Sequence, residues 1–400
     1  MKKIHFTRLL TLAVAGVMIM LAACNKDESV IPLSGDDESG ILKSGNGAAS
    51  YIVVLNDNFD ASTDLASVKD YKQRKEVMSG YLNRFLNGNG VGNDQLDHVY
   101  TNVYMGFSAR LSPPQLERLQ NDPRVKYVEA DQIVTLGKPS KPAPTPPDQT
   151  TPWGITRVGG GSTYNGSGKA WIIDTGIDLD HPDINVNTTL SKTFINRTTT
   201  ADDDNGHGSH CAGIIAAKNN TIGVVGVAAG ATVVAVKVLD RRGSGSWSGV
   251  IAGIDYVAAN AGDGDVANLS LGGGVSTTVD NAVIALGASG VKVAIAAGNE
   301  STDANFSSPA RANGPNLYTV SAMDSNDNWA YFSNYGNPPV DFCAPGYSIL
   351  SCYKNGGYTT MSGTSMAAPH VAGLLLLGPI HADGTVNGDP DLNPDPIAHK

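Results

Sequence analysis

The spacing of apolar residues predicts a small α+β unit in residues 50–136. Residues 50–55 form an apolar run of strand length, residues 65–85 repeat apolar positions at helical spacing, and residues 98–111 indicate two more strands. A proline-led helix over residues 113–120 and a last strand over 125–136 complete the order β-α-β-β-α-β. That order is typical of a split ferredoxin-like domain.

A different pattern begins at residue 152 and continues to residue 400. Apolar runs of strand length cover residues 169–174, 231–239, 266–271, 291–297 and 317–322, and helical spacing covers residues 250–260 and 277–289. Continuous apolar strands that alternate with helices are typical of a parallel sheet covered on both faces. We therefore predict an α/β fold with a doubly wound, mostly parallel sheet and flanking helices.

Residues 1–24 have the pattern of an export signal. Lys2, Lys3 and Arg8 precede the apolar run 9–23, whose fifteen residues are short for a membrane-spanning helix. The run ends in Leu-Ala-Ala-Cys, which resembles the lipobox of bacterial lipoproteins and implies a thioether-linked lipid on Cys24. An ordinary signal peptide cleaved near residue 23 is the alternative. The lipid predicts a precursor held at the membrane of a bacterial cell envelope or at the cell surface.

Two polar segments separate these regions. Residues 25–49 are rich in Ser, Gly, Asp and Glu without an apolar period, which predicts a flexible tether. Residues 137–151 hold five prolines among polar residues, which predicts an extended linker that is open to proteolysis. We place a maturation cut within or near this linker, provisionally around residues 146–150.

Composition narrows the function classes. The net charge of −10 and the lack of a Lys/Arg run beyond the first residues argue against nucleic-acid binding. The 46 glycines and the 16% of charged residues suit a compact, loop-rich exported protein. The sequence contains no dinucleotide-binding glycine motif, no P-loop and no H-E-x-x-H motif, so we expect no organic cofactor.

Three motifs supply the candidate chemistry. IIDTGID contains Asp174, NGHGSHCAG contains His207 and GTSMAAPHVAG contains Ser365. Asp, His and Ser can form a nucleophilic relay, in which the acid orients the imidazole and the imidazole activates the hydroxyl. The chain order Asp, His, Ser differs from that of chymotrypsin and of the α/β-hydrolases. Through these motifs, residues 153 onward resemble the subtilisin-like serine proteases, and within them the proteinase K branch.

Residues 50–136 resemble the inhibitory prodomains of the same proteases. The two resemblances together imply a serine endopeptidase made as a self-processing zymogen, with the prodomain as folding chaperone and intramolecular inhibitor. They also imply protein or peptide substrates and a monomer. Because Cys24 precedes the linker, maturation should detach the catalytic domain from its lipid and make it extracellular.

The resemblance assigns the remaining site residues. Asn299 matches the side-chain donor to the oxyanion. Two segments match those that add strands to a bound peptide, and a third matches one wall of the specificity pocket: Gly243, Ser244 and Gly245; Ser270, Leu271 and Gly272; Ala296, Ala297 and Gly298. Strand addition tolerates many sequences, and small pocket walls favour large apolar residues before the scissile bond. Glu300, at the rim, could admit some basic residues.

Other polar residues near the motifs have simpler interpretations. Asp178 and Asp180 follow the turn after Asp174, where we expect solvated loop acids. His210 could pair with His207 on a metal ion, but the resemblance favours a packed structural histidine.

A structural Ca²⁺ site is also possible. The resemblance matches the carbonyls of Pro315 and Leu317 and the carboxylate of Asp341 to a calcium site, although the loop before Pro315 is about one residue longer here. The cluster Asp202-Asp203-Asp204 is a second acidic candidate, for which a solvated loop is the preferred interpretation.

The remaining cysteines have different expected states. Cys211 lies one turn after His207, and the resemblance implies a buried free thiol there. Cys343 and Cys352 could form a disulfide across a short loop or could both stay free.

Two other function classes stay open. A binding protein without turnover is disfavoured because all four catalytic positions are filled. A surface lipoprotein for adhesion or assembly is disfavoured because the sequence shows no repeats and no added module after the core.

Overall fold

The computed structural model describes residues 47–137 and 148–400. The predicted export signal, the lipidation residue Cys24, almost all of the predicted tether and the linker residues 138–147 lie outside the described residues. None of the described helices is both long and apolar enough to cross a membrane.

Residues 47–137 fold in the predicted order of strands and helices. The central helix packs Met78, Leu82 and Phe85 against Val53 and Phe107 of the sheet. The four-stranded antiparallel sheet has the order β2-β3-β1-β4. The elements of this unit are β1 (Ala49–Leu55), α1 (Ser62–Ser67), α2 (Tyr71–Gly88), a 3₁₀ turn (Asn93–Gln95), β2 (Leu96–Tyr100), β3 (Gly106–Leu111), α3 (Pro113–Gln120), β4 (Val125–Ala130) and β5 (Ile133–Thr135).

Two details of this unit differ from the prediction. The single helix expected over residues 65–85 is two helices, because the Asp70 side chain accepts the Gln73 N–H and begins a new helix there. The single last strand expected over residues 125–136 is also divided. β4 pairs with β1, whereas β5 leaves this sheet and pairs with a strand of the larger domain.

Residues 148–400 form the predicted α/β domain around a ten-stranded sheet. The strand order is β19-β20-β16-β15-β14-β13-β7-β11-β8, with β9 also paired to β11. All pairs are parallel except β19 with β20. The strands are β6 (Ser162–Thr163), β7 (Lys169–Asp174), β8 (Asn185–Val186), β9 (Lys192–Thr193), β10 (Ala228–Ala229), β11 (Thr232–Lys237), β12 (Ser244–Ser246), β13 (Val266–Leu269), β14 (Lys292–Ala296), β15 (Leu317–Met323), β16 (Val340–Pro345), β17 (Ile349–Tyr353), β18 (Gly357–Met361), β19 (His381–Thr385) and β20 (Pro396–His399).

Helices cover both faces of this sheet, as the continuous apolar strands predicted. Along β7, Ala170 and Ile172 pack with α5 and α8, while Trp171 and Ile173 pack on the opposite face with α6 and α7. The alternation follows from the two-residue period of a strand, which points neighbouring side chains to opposite faces. The helices are α4 (Trp153–Arg157), α5 (His207–Ala216), α6 (Trp247–Asn260), α7 (Thr277–Ala288), a 3₁₀ turn (Ala304–Phe306) and α8 (Thr364–Leu377).

The segment after α8 extends the sheet, which the sequence pattern did not predict. β20 pairs in parallel with β16, and β19 folds back on β20 as the outermost strand. Met323, Cys343, Val386 and Ile397 form a small apolar cluster under this tail. The tail is thus an integral edge of the central sheet.

The proposed disulfide between Cys343 and Cys352 is not formed. Both residues are buried free thiols, as is Cys211. Cys343 packs under the C-terminal tail, whereas Cys352 belongs to the core cluster around α5 and α8. The two side chains therefore lie in separate apolar clusters.

Candidate active site

Asp174 and His207 meet at the carboxyl end of β7. Asp174 is the last residue of that strand, and His207 is the first residue of α5. Nδ1 of His207 lies 2.9 Å from each carboxylate oxygen of Asp174. Close approach of the two backbones requires Gly208, because a Cβ there would lie 2.1 Å from the Gly176 carbonyl oxygen.

The Asp174 carboxylate favours the protonated form of the His207 imidazole. Burial by itself lowers the pKa of His207, but the hydrogen-bonded Asp174 carboxylate outweighs it, and the pKa of His207 is raised well above its usual value. Because Nδ1 faces the acid, Nε2 is the nitrogen left to accept a proton from a nucleophile.

Ser365 is the second residue of α8 and lines the same cavity as His207. The cavity has a volume of about 840 Å³. The Ser365 hydroxyl donates to the Ser270 carbonyl oxygen at 3.2 Å, and the side chain sits at the helix start, where backbone N–H groups have no intrahelical partner. Such N–H groups and the helix dipole favour negative charge beside the serine.

Asn299 is oriented by Thr364, a residue to which the sequence assigned no role. Its side-chain oxygen accepts the Thr364 N–H at 2.8 Å and the Thr364 hydroxyl at 3.1 Å. The Thr364 hydroxyl oxygen in turn accepts the Gly298 N–H at 3.1 Å. Since the amide oxygen is held in this way, the amide N–H₂ is left for the cavity that Asn299 lines. Thr364 directly precedes Ser365 in the motif GTSMAAPHVAG, and this position beside the predicted nucleophile was the available signal for a role in the site.

The first predicted peptide-binding segment carries a bound strand. Ser244 and Gly245 pair in antiparallel register with Thr135 and Val134 of β5, and the Leu136 N–H donates to the Gly243 carbonyl at 2.8 Å. The following residues of that strand enter the cavity, which Thr135, Leu136 and Gly137 line together with His207 and Ser365.

The second predicted segment borders the cavity without pairing to that strand. Leu271 and Gly272 line the cavity, and the Ser270 hydroxyl donates to the Ser365 carbonyl oxygen at 2.8 Å. Between residues 47–137 and Ser270–Gly272, the structure contains no backbone hydrogen bond. This segment is therefore positioned beside the nucleophile and contacts it directly.

The predicted pocket wall also lies in the cavity. Ala296, Ala297 and Gly298 line it, with Gly298 at φ 107°, a conformation that favours glycine. Glu300 lines it too, but its carboxylate already accepts the Asn299 N–H at 2.9 Å and the Asn334 side-chain amide at 2.8 Å. These two hydrogen bonds hold the Glu300 carboxylate against the pocket wall.

The expectation of solvated acids is wrong for Asp178. Asp178 is 4% exposed, and it accepts the Gly356 N–H at 2.7 Å. Burial raises the pKa of Asp178 to about 6. Asp180, in contrast, is exposed as expected.

The expectation of a solvated loop is also wrong for Asp203, which is 5% exposed. Its two oxygens accept the Thr175 hydroxyl at 2.9 Å, the Gly206 N–H at 2.8 Å and the Ser209 N–H at 2.9 Å. Asp203 therefore ties the loop after Asp174 to the start of the helix that carries His207. The sequence could not single out Asp203 for this role, because it stands among three consecutive acids that differ only in how deeply the fold buries them.

His210 and Cys211 lie in the first turns of α5 and are both buried. Nε2 of His210 lies 3.1 Å from the carbonyls of Ile349 and Thr359, and burial lowers the pKa of His210 to about 3. It is thus a neutral packed histidine. The Cys211 sulfur lies 4.0 Å from His207 Nδ1, and burial raises the pKa of its thiol. Cys211 therefore packs as a neutral thiol behind the imidazole.

The three proposed calcium ligands lie at the amino ends of two adjacent parallel strands. Leu317 is the first residue of β15, Pro315 precedes it by two residues, and Asp341 is the second residue of β16. One Asp341 oxygen accepts the Thr319 N–H at 2.8 Å, and partial desolvation raises the pKa of this carboxyl group to about 6, although the side chain is exposed. The calcium site stays a prediction.

Comparison with known proteins identifies the chain. A model of the "Subtilase family" matches residues 171–378, and a model of "Peptidase inhibitor I9" matches residues 50–137. The chain belongs to the subtilase family. This subtilase is therefore a serine protease that acts on proteins, and residues 50–137 form its intramolecular inhibitor prodomain. Subtilases in general use no organic cofactor and often bind structural calcium.

Curated relatives agree with this assignment. The subtilase is 44% identical over 70% of its length to the alkaline serine protease ver112 of Corniculantispora psalliotae, covering 72% of that protein. It is 37% identical over 90% of its length to an extracellular serine proteinase of a Thermus strain, covering 87%. A crystal structure of a cold-adapted subtilisin-like serine proteinase matches with a TM-score of 0.51 and 41% identity, over 57% of this chain and 84% of that one. The predicted fold is thereby confirmed.

The prodomain of this subtilase contacts the starts of two helices. The Asp131 carboxylate accepts the Ser248 N–H at 3.0 Å in the first turn of α6, and Glu129 accepts the Thr278 N–H at 3.1 Å in the first turn of α7. Helix starts carry unpaired N–H groups and partial positive charge, so both carboxylates are well placed. Farther along α6, Asp255 accepts three prodomain N–H groups, from residues 101–103.

Proposed function

We propose that this subtilase is a broad-specificity endopeptidase whose catalytic residues are Asp174, His207, Ser365 and Asn299. His207 Nε2 takes the Ser365 hydroxyl proton as Oγ attacks the scissile carbonyl carbon, and Asp174 stabilises the resulting imidazolium. The imidazolium then gives its proton to the leaving amine, and a water molecule, activated by the same imidazole, hydrolyses the acyl-serine. The 2.9 Å contacts between Asp174 and His207 support these roles.

The oxyanion of each tetrahedral intermediate is stabilised by two donors. One is the Asn299 amide, whose oxygen is fixed by Thr364, and the other is a backbone N–H at the start of α8. A single side-chain donor of this kind is worth about 2.7–4 kcal/mol, a magnitude measured in a subtilisin.

Peptide substrates bind by their main chain. The pairing of β5 with Ser244–Ser246 is the model for such binding, since main-chain hydrogen bonds accept almost any sequence. The small walls Ala296, Ala297 and Gly298 favour a large apolar residue before the scissile bond. The Glu300 carboxylate already accepts two hydrogen bonds, so we expect it to attract basic substrate side chains weakly, which supports the apolar preference.

One observation carries the proposal of self-processing. Residues 133–136 of the chain itself pair with Gly243–Ser246, and Thr135, Leu136 and Gly137 line the cavity that also holds Ser365 and His207. This arrangement supports a cut in the linker that follows β5, residues 137–151, which includes the provisional position around residues 146–150. After the cut, β5 stays in the cleft as a product-like inhibitor until the prodomain is degraded.

A lipid on Cys24 would hold only the precursor at the membrane. The cut separates residue 24 from the catalytic domain, so the mature enzyme is released as an extracellular monomer. A structural calcium ion held by Pro315, Leu317 and Asp341 would add stability without entering the reaction.

The decisive experiment compares intact masses of the wild type and Ser365→Ala, both expressed without residues 1–24. We expect two wild-type fragments that meet within the linker, residues 137–151, and a mutant that remains full length. Asp180→Asn, a change of an exposed acid near the site, serves as the matched control and should process as the wild type does. A wild type that remains full length would overturn self-processing. A mutant that is cut at the same bond would assign the cut to another protease.

A further inference from the structure

Lys237 is among the largest fully buried side chains in the described part of the chain, although it ends in an ammonium group. It is the last residue of β11, and its register partner in β7 is Asp174. Only 1% of the residue is exposed. Burying an ammonium group costs free energy unless nearby oxygens replace the lost water. The partners of Lys237 Nζ therefore show what this charge does.

Two oxygens from different segments accept hydrogen bonds from this ammonium group. Lys237 Nζ donates to the backbone carbonyl of Thr175 and to the carboxylate of Asp204, the latter at 2.7 Å. Thr175 is fully buried, whereas the Asp204 side chain is 49% exposed. Lys237 thus connects an interior carbonyl just after β7 to a carboxylate at the protein surface.

The first partner, Thr175, directly follows Asp174 and contacts both members of the acid–imidazole pair through its neighbours. Its N–H donates to an Asp174 carboxylate oxygen at 2.6 Å. Its hydroxyl accepts the N–H of Gly208, the residue after His207 in α5, at 2.9 Å. A displacement of Thr175 would therefore move the acid relative to the start of the helix that carries the imidazole.

The second partner, Asp204, lies in the loop that leads into the helix of His207. It precedes His207 by three residues, and the intervening Asn205 accepts the His207 N–H with its side-chain oxygen at 3.2 Å. The ammonium group of Lys354 donates to the Asp204 backbone carbonyl at 2.6 Å. Lys237 and Lys354 thus hold the side chain and the backbone of the same loop residue.

Stability alone does not account for a lysine at this position. Alternate side chains of a strand face the same side, and Val233 and Ala235, which share the face of Lys237, belong to the apolar core that includes α5 and α8. An apolar side chain of similar length would continue this row. Replacing a buried ion pair with apolar groups is often neutral or stabilising, whereas an ion pair can fix one arrangement of its partners. The lysine therefore indicates a geometric role.

We propose that Lys237 is a positioning residue for the Asp174–His207 pair. Its ammonium group clamps the strand end that carries the acid to the loop that leads into the helix of the imidazole. The clamp consists of Lys237, Thr175 and Asp204. The inference rests on the proposed function, in which the acid and the imidazole act together.

The first test compares the kinetics of Lys237→Met and Lys169→Met in enzyme matured from the chain lacking residues 1–24. Lys169 is the matched control, because it begins the strand that Asp174 ends and is paired with Asp265 at 3.1 Å. We expect Lys237→Met to lower kcat about tenfold with KM unchanged, since small displacements of catalytic groups cost up to about 10²-fold in rate. Lys169→Met should keep the wild-type kcat. A wild-type kcat in Lys237→Met would overturn the proposal.

A variant at the exposed end of the clamp keeps the test decisive if Lys237→Met does not fold. Asp204→Ala removes the half-exposed partner, and we expect it to lower kcat by a smaller factor than Lys237→Met does. The double variant should be no slower than Lys237→Met alone, because the carboxylate has no ammonium partner once Lys237 is replaced. Additive losses, or an Asp204→Ala enzyme with the wild-type kcat, would contradict the clamp.

Proton NMR separates this inference from the proposed activity. In the Ser365→Ala chain lacking residues 1–24, the proton between His207 Nδ1 and Asp174 should give a low-field resonance, which Asp174→Asn identifies by removing it. We expect Lys237→Met and Asp204→Ala to shift or broaden this resonance and Lys169→Met to leave it in place. A resonance that neither clamp variant changes would overturn the positioning role, even where kcat falls. An inactive wild type would overturn the proposed function and leave this measurement intact.

Discussion

The Asp131 carboxylate of the prodomain accepts both the backbone N–H and the hydroxyl of Ser248, at 3.0 and 2.6 Å. The contact joins the prodomain to the catalytic domain, so under the proposed maturation it would help to hold the inhibitor in place. We expect Asp131→Ala to weaken the processed complex by about 2 kcal/mol, or about thirtyfold.

The measurement is the activity recovered when the processed, still-associated protein is diluted. Asp94→Ala, an exposed prodomain acid, should leave the dilution curve unchanged. Equal curves for Asp131→Ala and the wild type would show that this carboxylate does not hold the prodomain.

Thr364 should act as a positioning residue for Asn299. Thr364→Val keeps the shape but removes the hydroxyl that contacts the Asn299 oxygen at 3.1 Å. We expect kcat to fall about tenfold with KM unchanged, less than the about 10²–10³-fold loss on removing the donor in Asn299→Ala. Thr364→Ser retains the hydroxyl and should restore kcat. Failure of the serine variant to restore kcat would assign the effect to packing.

Asp203 should contribute more stability than its neighbour Asp202. Asp203→Ala leaves several buried donors without an acceptor, and we expect a loss of about 2–4 kcal/mol in the free energy of unfolding. Asp202 is exposed and its carboxylate accepts the Leu179 N–H at 3.1 Å, so Asp202→Ala should cost less than about 1 kcal/mol. Urea unfolding of both variants in the Ser365→Ala background measures the difference. Equal losses would contradict the anchoring role of Asp203.

The pH profile should report the Asp174–His207 pair. Catalysis needs the neutral imidazole, and Asp174 raises the pKa of His207 against the effect of burial. Activity is therefore lost as the pH falls through that pKa. Asp174→Asn removes the charge, so the acid limb of kcat/KM should move to lower pH while kcat falls by about 10⁴. An acid limb that stays in place would assign it to another group.

The strands and helices of the catalytic domain were largely predictable from local pattern. The predicted strand 169–174 is observed with the same bounds, and the helix predicted over residues 277–289 is observed as Thr277–Ala288. Central parallel strands are buried on both faces, so their apolar runs are continuous and easy to recognise. The tail strands lacked this signal because they lie at the sheet edge, where β19 is exposed along its length.

The site was predictable where a motif fixed both residue type and position. The sequence alone placed Asp174, His207 and Ser365 at the end of a strand and at the starts of two helices, because turn glycines and apolar runs are local features. It also determined the fold class and the order of the two domains.

Only the tertiary structure decided which polar residues are buried. It separated Asp203 from its exposed neighbour Asp202, kept Cys343 and Cys352 in different apolar clusters and brought Gly137 into the cavity that Ser365 also lines. Each of these outcomes depends on contacts between segments that are distant along the chain. Burial, pairing and register arise from such contacts, and no local pattern of residues encodes them.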